Sequence, residues 1–321
     1  MNLKDLKKEL DGLQLEMTAP VSSNITQELN KLVQAGGKKF RPGLMFLMGD
    51  LFGLTASELN TYARAVELTH LASLVHDDVI DESPTRRNHP TLNSLQNNTT
   101  SILAGDFLLA TIMGELALMN RNDVLIDLTK SIQDLADGEW LQFELKKKTH
   151  VIVEDLAQIA IKKTGSLIRW CCTTPAKLSG YHDVASMALL GEKIGLIFQM
   201  ADDIVDGLTI SGRPAFQDII NGQLNFVTLK LIELHPDLYQ SIYELKKNSK
   251  TLIPWTQDQY HEAIKAVDAE INFERDRVVS IFTSVAQKNN KMDLVPYFEA
   301  AILKIQSNYA SFFENLTDRK V

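Results

Sequence analysis

The chain has 321 residues, 45% of them apolar, a formal net charge of −8 and only two cysteines. An acidic chain whose longest basic run is Lys146-Lys147-Lys148 argues against a nucleic-acid partner, and the adjacent Cys171 and Cys172 argue against a disulfide framework. These features agree with a helical protein, which at this size can remain one domain over 1–321, in a reducing, cytoplasmic setting.

Residues 1–17 alternate charge with leucine and lack the unbroken apolar core of a signal peptide; no stretch of about 18 apolar residues follows that would span a membrane. The run Gly36-Gly37-Lys38-Lys39-Phe40-Arg41-Pro42 is the first basic cluster. Thr55-Ala56-Ser57-Glu58 reads as a capping box after Gly53. It opens a helix whose stripe runs Leu59, Ala63, Val66, His70, Ser73, Asp77 and Asp81. That helix ends in Asp77-Asp78-Val79-Ile80-Asp81, and Arg86-Arg87 follow. Asn120 to Asp123 and Thr173 to Pro175 are expected to break neighbouring helices, and Lys146 to Lys148 to form a solvated helix end. Leu190, Ile194, Ile197, Ala201 and Ile204 repeat the helical period around a second motif, Asp202-Asp203-Ile204-Val205-Asp206. Strand-like alternation is scarce, and no internal repeat or flexible linker marks a second domain.

Two copies of DDxxD, each ending an apolar helix, carry the chemistry. On a helix the first and fifth residues share a face, so Asp77/Asp81 and Asp202/Asp206 each present two carboxylates together. Like charges in an apolar setting raise each other's pKa unless a cation holds them ionised. Hard oxygen donors suit Mg²⁺, which keeps several waters and shares its shell with phosphate oxygens. The guanidinium and ammonium groups of Lys38, Arg41, Arg86 and Arg87 are natural partners of phosphate oxygens.

In this order the motifs resemble those of the trans-type polyprenyl diphosphate synthases: Gly37 to Pro42, His70 to Arg87, Gly105-Asp106, Lys163-Thr164 and Phe198 to Asp206. The resemblance implies an all-α isoprenoid-synthase bundle around a central cavity, working as a homodimer or heterodimer. It implies several Mg²⁺ ions held by Asp77, Asp78, Asp81, Asp202, Asp203 and Asp206, bridging an allylic diphosphate. Asp77, Asp81, Asp202 and Lys163 would carry catalysis. Isopentenyl diphosphate would bind at Lys38, Arg41, His70 and Arg87, and the allylic diphosphate at Arg86, Lys163 and Gln199. Thr164 and Phe198 would line the site, Arg213 would keep a positive charge near it, and Asp106 would serve as support. Ionisation gives an allylic cation that the second substrate attacks, so no protein nucleophile is expected.

The chain departs from the family pattern after the second motif. Gln223 stands where many short-chain members have a lysine, and Asn225 and Val227 alter the segment that follows. Ala72 and Ser73, one turn before Asp77, are small and leave the path of a growing tail open, which favours a medium- to long-chain product. Phe107, Met113, Trp140 and Phe143 are candidates to close that path. Any contact of a lipid product with a bilayer would be peripheral or transient. The rival readings are a geranylgeranyl- or farnesyl-length synthase, a terpene cyclase or head-to-head synthase, and a partner subunit of a heteromeric synthase.

Overall fold

The computed structural model describes residues 3–16, 23–34, 39–86, 89–208, 215–247 and 253–317. In chain order its helices are α1 (Leu3–Gly12), α2 (Ser23–Gln34), α3 (Phe40–Leu51), α4 (Ala56–Ile80), α5 (Leu92–Leu95), α6 (Asn98–Ala117), α7 (Asn122–Lys147) and α8 (Val153–Ala160). A π turn at Ile161–Gly165 runs on into α9 (Ser166–Leu178), followed by α10 (Val184–Asp206), α11 (Gln217–Ile220), α12 (Phe226–Leu234), α13 (Tyr239–Lys247), α14 (Gln257–Lys288) and α15 (Val295–Thr317). The chain is all-α. Among the described residues its strands are one short antiparallel pair after α4, β1 (Thr85–Arg86) and β2 (His89–Pro90), with Arg86 opposite His89.

The chain forms two compact units: Met1–Ile132 with Leu167–Ala188, and Gln133–Ser166 with Leu189–Val321. In the first, α4 packs along α6 and α3. Its core holds Met45, Phe46, Met48, Leu68, Leu108, Ile112 and Trp170, all essentially without exposure. The indole N–H of Trp170 donates to the Val124 carbonyl at 3.1 Å, satisfying the one polar atom of that buried ring. In the second unit α14 packs on α12 and α15. The Phe282 and Phe298 rings stack there, with centroids 4.1 Å apart.

The capping box that opens α4 is present. Glu58 accepts from the Thr55 backbone N–H at 2.8 Å and from the Thr55 hydroxyl at 2.7 Å. Both apolar stripes are buried as their spacing requires: Leu59, Ala63 and Val66 on α4, and Leu190, Ile194, Ile197, Ala201 and Ile204 on α10. The break at Asn120 is also found, with a left-handed φ of 55° between α6 and α7. Lys147 and Lys148 are exposed and paired with Glu144 and Asp155.

The expected break at Thr173 to Pro175 is not found, because Pro175 lies inside α9. Proline removes one helical N–H at a cost of about 3 kcal/mol. The same turns bury Trp170, Cys171, Cys172 and Ala176 almost completely, and that burial outweighs the defect. Helices α6 and α10 are long and apolar enough to cross a membrane by length and composition only, a test that the core helix of a soluble protein also passes. Part of each is buried: α6 packs against α4 and buries Ala104, Leu108, Ile112 and Leu116 while Ile102 and Leu103 stay exposed, and α10 buries its stripe.

Candidate functional site

Each acidic motif occupies the last turns of a long helix with no basic residue in its last turn, so the carboxylates meet the negative pole of the helix dipole. This placement is unfavourable by itself and becomes favourable beside a cation. The two ends are built alike. Asp77 is half-buried and Asp202 exposed, whereas the second aspartate of each motif, Asp78 and Asp203, is buried and held by partners.

In the first unit Asp78 Oδ1 accepts from Arg86 Nε at 2.8 Å and lies 2.8 Å from Arg86 Nη2. Burial raises the Asp78 carboxyl above its ordinary value and the Arg86 guanidinium opposes that shift. Arg86, expected at the allylic diphosphate, is thus tied to the motif it follows. The β1–β2 hairpin is fastened by Thr91, whose hydroxyl donates to the Ser83 carbonyl at 2.7 Å, and by Asn93, whose amide donates to the Asp78 carbonyl at 3.2 Å. Asp81 caps the helix, its N–H bonded to the Asp77 carbonyl at 2.8 Å, and its side chain is exposed.

Gly105 explains the Gly-Asp pair. A Cβ there would fall 2.2 Å from His76 Nε2, so any larger residue would have to displace the imidazole of the residue that precedes Asp77. Asp106 lies 3.6 Å from the same nitrogen. Arg41 stands in the first turn of α3. His70, Ser73 and Asp77 follow one another on the half-buried face of α4, with the Ser73 hydroxyl donating to the His70 carbonyl at 2.8 Å. Ala72 is fully buried. Lys38, Arg87 and Arg213 lie outside the described residues.

In the second unit the π turn carries Lys163 and Thr164. Such insertions recur at functional sites because they re-aim side chains. Two glycines make room for it: a Cβ on Gly138 would lie 2.7 Å from Lys163 Cγ, and one on Gly195 would lie 2.3 Å from the Gly165 Cα. The Thr164 hydroxyl donates to Gln199 Oε1 at 3.2 Å, and Gln199 Nε2 donates to Asp203 Oδ1 at 2.9 Å. The other oxygen of Asp203 accepts from the Phe226 N–H at 2.8 Å, at the start of α12. Gln199 therefore bridges the Lys-Thr and second acidic motifs. The Lys163 ammonium is paired with Glu139 and donates to Gln142 Oε1 at 2.8 Å.

Asp206 accepts from the backbone N–H groups of Gln217 and Asp218 at 3.0 and 3.3 Å. Burial, then Asp218, pushes the Asp206 carboxyl up to about 7. Asp203 and Asp218 are likewise raised by burial, Asp203 well above the usual range. This cluster is short of positive charge. Hard carboxylate oxygens at a negative helix pole fit a divalent cation such as Mg²⁺. Among the described residues no three such side chains converge to close an ion site alone.

Sequence reasoning missed Glu139, Gln142, Asn93 and Tyr260. The Tyr260 ring meets Phe216 and Trp255 edge-on and stacked respectively, and a Cβ on Gly207 would lie 1.9 Å from its hydroxyl. The glycine directly after the second motif was the available signal. Asn225, expected to disturb the segment after the motif, instead caps α12: it accepts from the Thr228 N–H at 3.0 Å and donates to Asp218 at 2.9 Å. Trp140 and Phe143, taken as candidates to close a tunnel, are exposed at 64% and 49%.

The sequence model of the polyprenyl synthetase family matches residues 22–259. A prenyl transferase of Synechocystis sp. is 37% identical over 213 residues, 64% of this chain and 66% of that protein. Solanesyl diphosphate synthase 3 of Arabidopsis thaliana is 32% identical over 67% of this chain and 56% of its own length. The chain thus spans less than two thirds of the curated relatives it matches here. The crystal structure of heptaprenyl diphosphate synthase from Staphylococcus aureus superimposes with a TM-score of 0.76 at 26% identity, covering 96% of this chain and 98% of that one.

Proposed function

Because the chain belongs to the polyprenyl synthetase family, we propose that it is a prenyltransferase that condenses isopentenyl diphosphate with an allylic diphosphate, head to tail and trans, to give a medium- to long-chain polyprenyl diphosphate. The observation that carries this reading is the matched construction of the two acidic helix ends, with an accessible first aspartate and a buried, held second one. Asp77 and Asp81 on one helix and Asp202 and Asp206 on the other would hold Mg²⁺, oriented by Asp78 and Asp203. When bound, the metal neutralises the leaving diphosphate.

The chain's own residues do the rest. Lys163, aimed by the π turn, binds allylic diphosphate oxygens, with Thr164 and Gln199 fixing that turn and Arg213 adding positive charge. Arg86 holds the first motif in register through Asp78. Lys38, Arg41, His70 and Arg87 bind the diphosphate of isopentenyl diphosphate without metal. Ser73, small and in line with Asp77, leaves room for the tail. We place the reaction in the cytoplasm, carried out by a homodimer or heterodimer of one-domain chains; two free thiols, Cys171 and Cys172, support the reducing setting.

The test is to incubate the purified chain alone with Mg²⁺, labelled isopentenyl diphosphate and allylic primers of increasing length. Successive five-carbon extensions on chromatography of the dephosphorylated products are expected. No incorporation with any primer would overturn the reading and favour a partner subunit.

A further inference from the structure

Gln223 and Gln142 form a hydrogen-bond relay whose direction is fixed by the lysine at its end. An ammonium only donates, so the Gln142 atom 2.8 Å from Lys163 Nζ is its carbonyl oxygen. That leaves the Gln142 amide nitrogen pointing the other way, where it donates to Gln223 Oε1 at 2.7 Å. The Glu139 carboxylate is ion-paired with the same ammonium. An ammonium carries three N–H donors, so one that donates to Gln142 and is ion-paired with Glu139 keeps donor capacity for a ligand. All four side chains are half-buried, where solvent competes less for each bond.

We propose that Gln142 and Gln223 are positioning residues that aim the Lys163 ammonium at a diphosphate anion, with Gln223 setting the orientation of the Gln142 amide. A long lysine side chain samples many rotamers. The Gln142 acceptor and the Glu139 carboxylate together restrict it to the rotamers that keep both contacts. Without an acceptor at residue 223 the Gln142 amide can turn, offer its NH₂ group to a group that cannot accept, and release Lys163. The assignment of Lys163 to a diphosphate rests on the prenyltransferase reading.

The experiment measures binding of inorganic diphosphate with Mg²⁺ to the full chain by titration calorimetry, beside steady-state kinetics. Gln223→Met, which keeps length and loses the acceptor, is expected to weaken diphosphate binding about fivefold, the loss of one ordinary hydrogen bond. It should raise KM for the allylic primer by the same factor and leave KM for isopentenyl diphosphate unchanged. In a Gln142→Glu background, where a carboxylate accepts from Lys163 in either orientation, adding Gln223→Met should change nothing further. The relay is overturned if Gln223→Met binds diphosphate like wild type, if its effect persists in the Gln142→Glu background, or if wild type binds no diphosphate. Wild type that binds diphosphate and shows this coupling but never condenses the two substrates would overturn the prenyltransferase reading and leave the relay standing.

Discussion

Gly195 and Gly165 touch backbone to backbone: a Cβ on Gly195 would lie 2.3 Å from the Gly165 Cα and 2.6 Å from its nitrogen. The close approach of α10 to the π turn at that point sets where Lys163 and Thr164 stand relative to Gln199. Gly195→Ala is expected to destabilise the fold by about 1–3 kcal/mol, as overpacking does, and to lower turnover further by shifting Lys163. Gly114→Ala, on an exposed helical position with nothing within 4 Å, is the control and should leave both unchanged or raise stability slightly. Thermal melts and initial rates on the two variants decide it.

The first and second aspartates of each motif should separate in their phenotypes. Asp77→Ala and Asp202→Ala are expected to cut condensation by orders of magnitude while melting near the wild-type temperature. Asp203→Ala strands the Phe226 N–H and the Gln199 amide, and should cost stability by about 1–3 kcal/mol as well. Near-wild-type turnover by folded Asp202→Ala would remove the metal assignment.

Ser73→Phe is the test of product length. Ser73 is half-buried in line with Asp77, so a ring there should leave the first condensation working and shift products to shorter chains. Ala72→Phe falls in the core instead, at 0% exposure, and is expected to destabilise the fold by about 1–3 kcal/mol rather than to report on the tail. A wild-type length distribution from Ser73→Phe would show that the tail does not run along α4.

The capping box of α4 predicts a pH dependence. The Thr55 hydroxyl, then the Thr55 backbone N–H, hold the Glu58 carboxyl below its ordinary value of 4.5. A depressed carboxylate stabilises the fold above that ordinary value and loses the contribution as pH falls through the folded one. Glu58→Gln should therefore lower the melting temperature at pH 7, and the gap to wild type should narrow as the pH is taken below about 4. A gap that stays constant with pH would show that the box does not act through charge.

Much of this was legible in the chain because the helix repeat is local. The stripes Leu59 to Val66 and Leu190 to Ile204 had to be buried, and two DDxxD runs at their ends had to place like charge at a helix pole, whatever the rest of the chain did. The scarcity of strand-like alternation pointed the same way, to an all-α chain. Periodicity could not show which aspartate of each pair faces inward. Asp78 is turned in by Arg86 from the hairpin, and Asp203 by Gln199 and the start of α12. Nor could it show that Pro175 stays helical, since the opposing term is burial supplied by the rest of the unit. Glu139 and Gln142 carry no motif. They meet Lys163 because Gly138 and the π turn bring α7 within reach, and a hydrogen bond between residues 21 apart exists only once packing has removed the alternative of water.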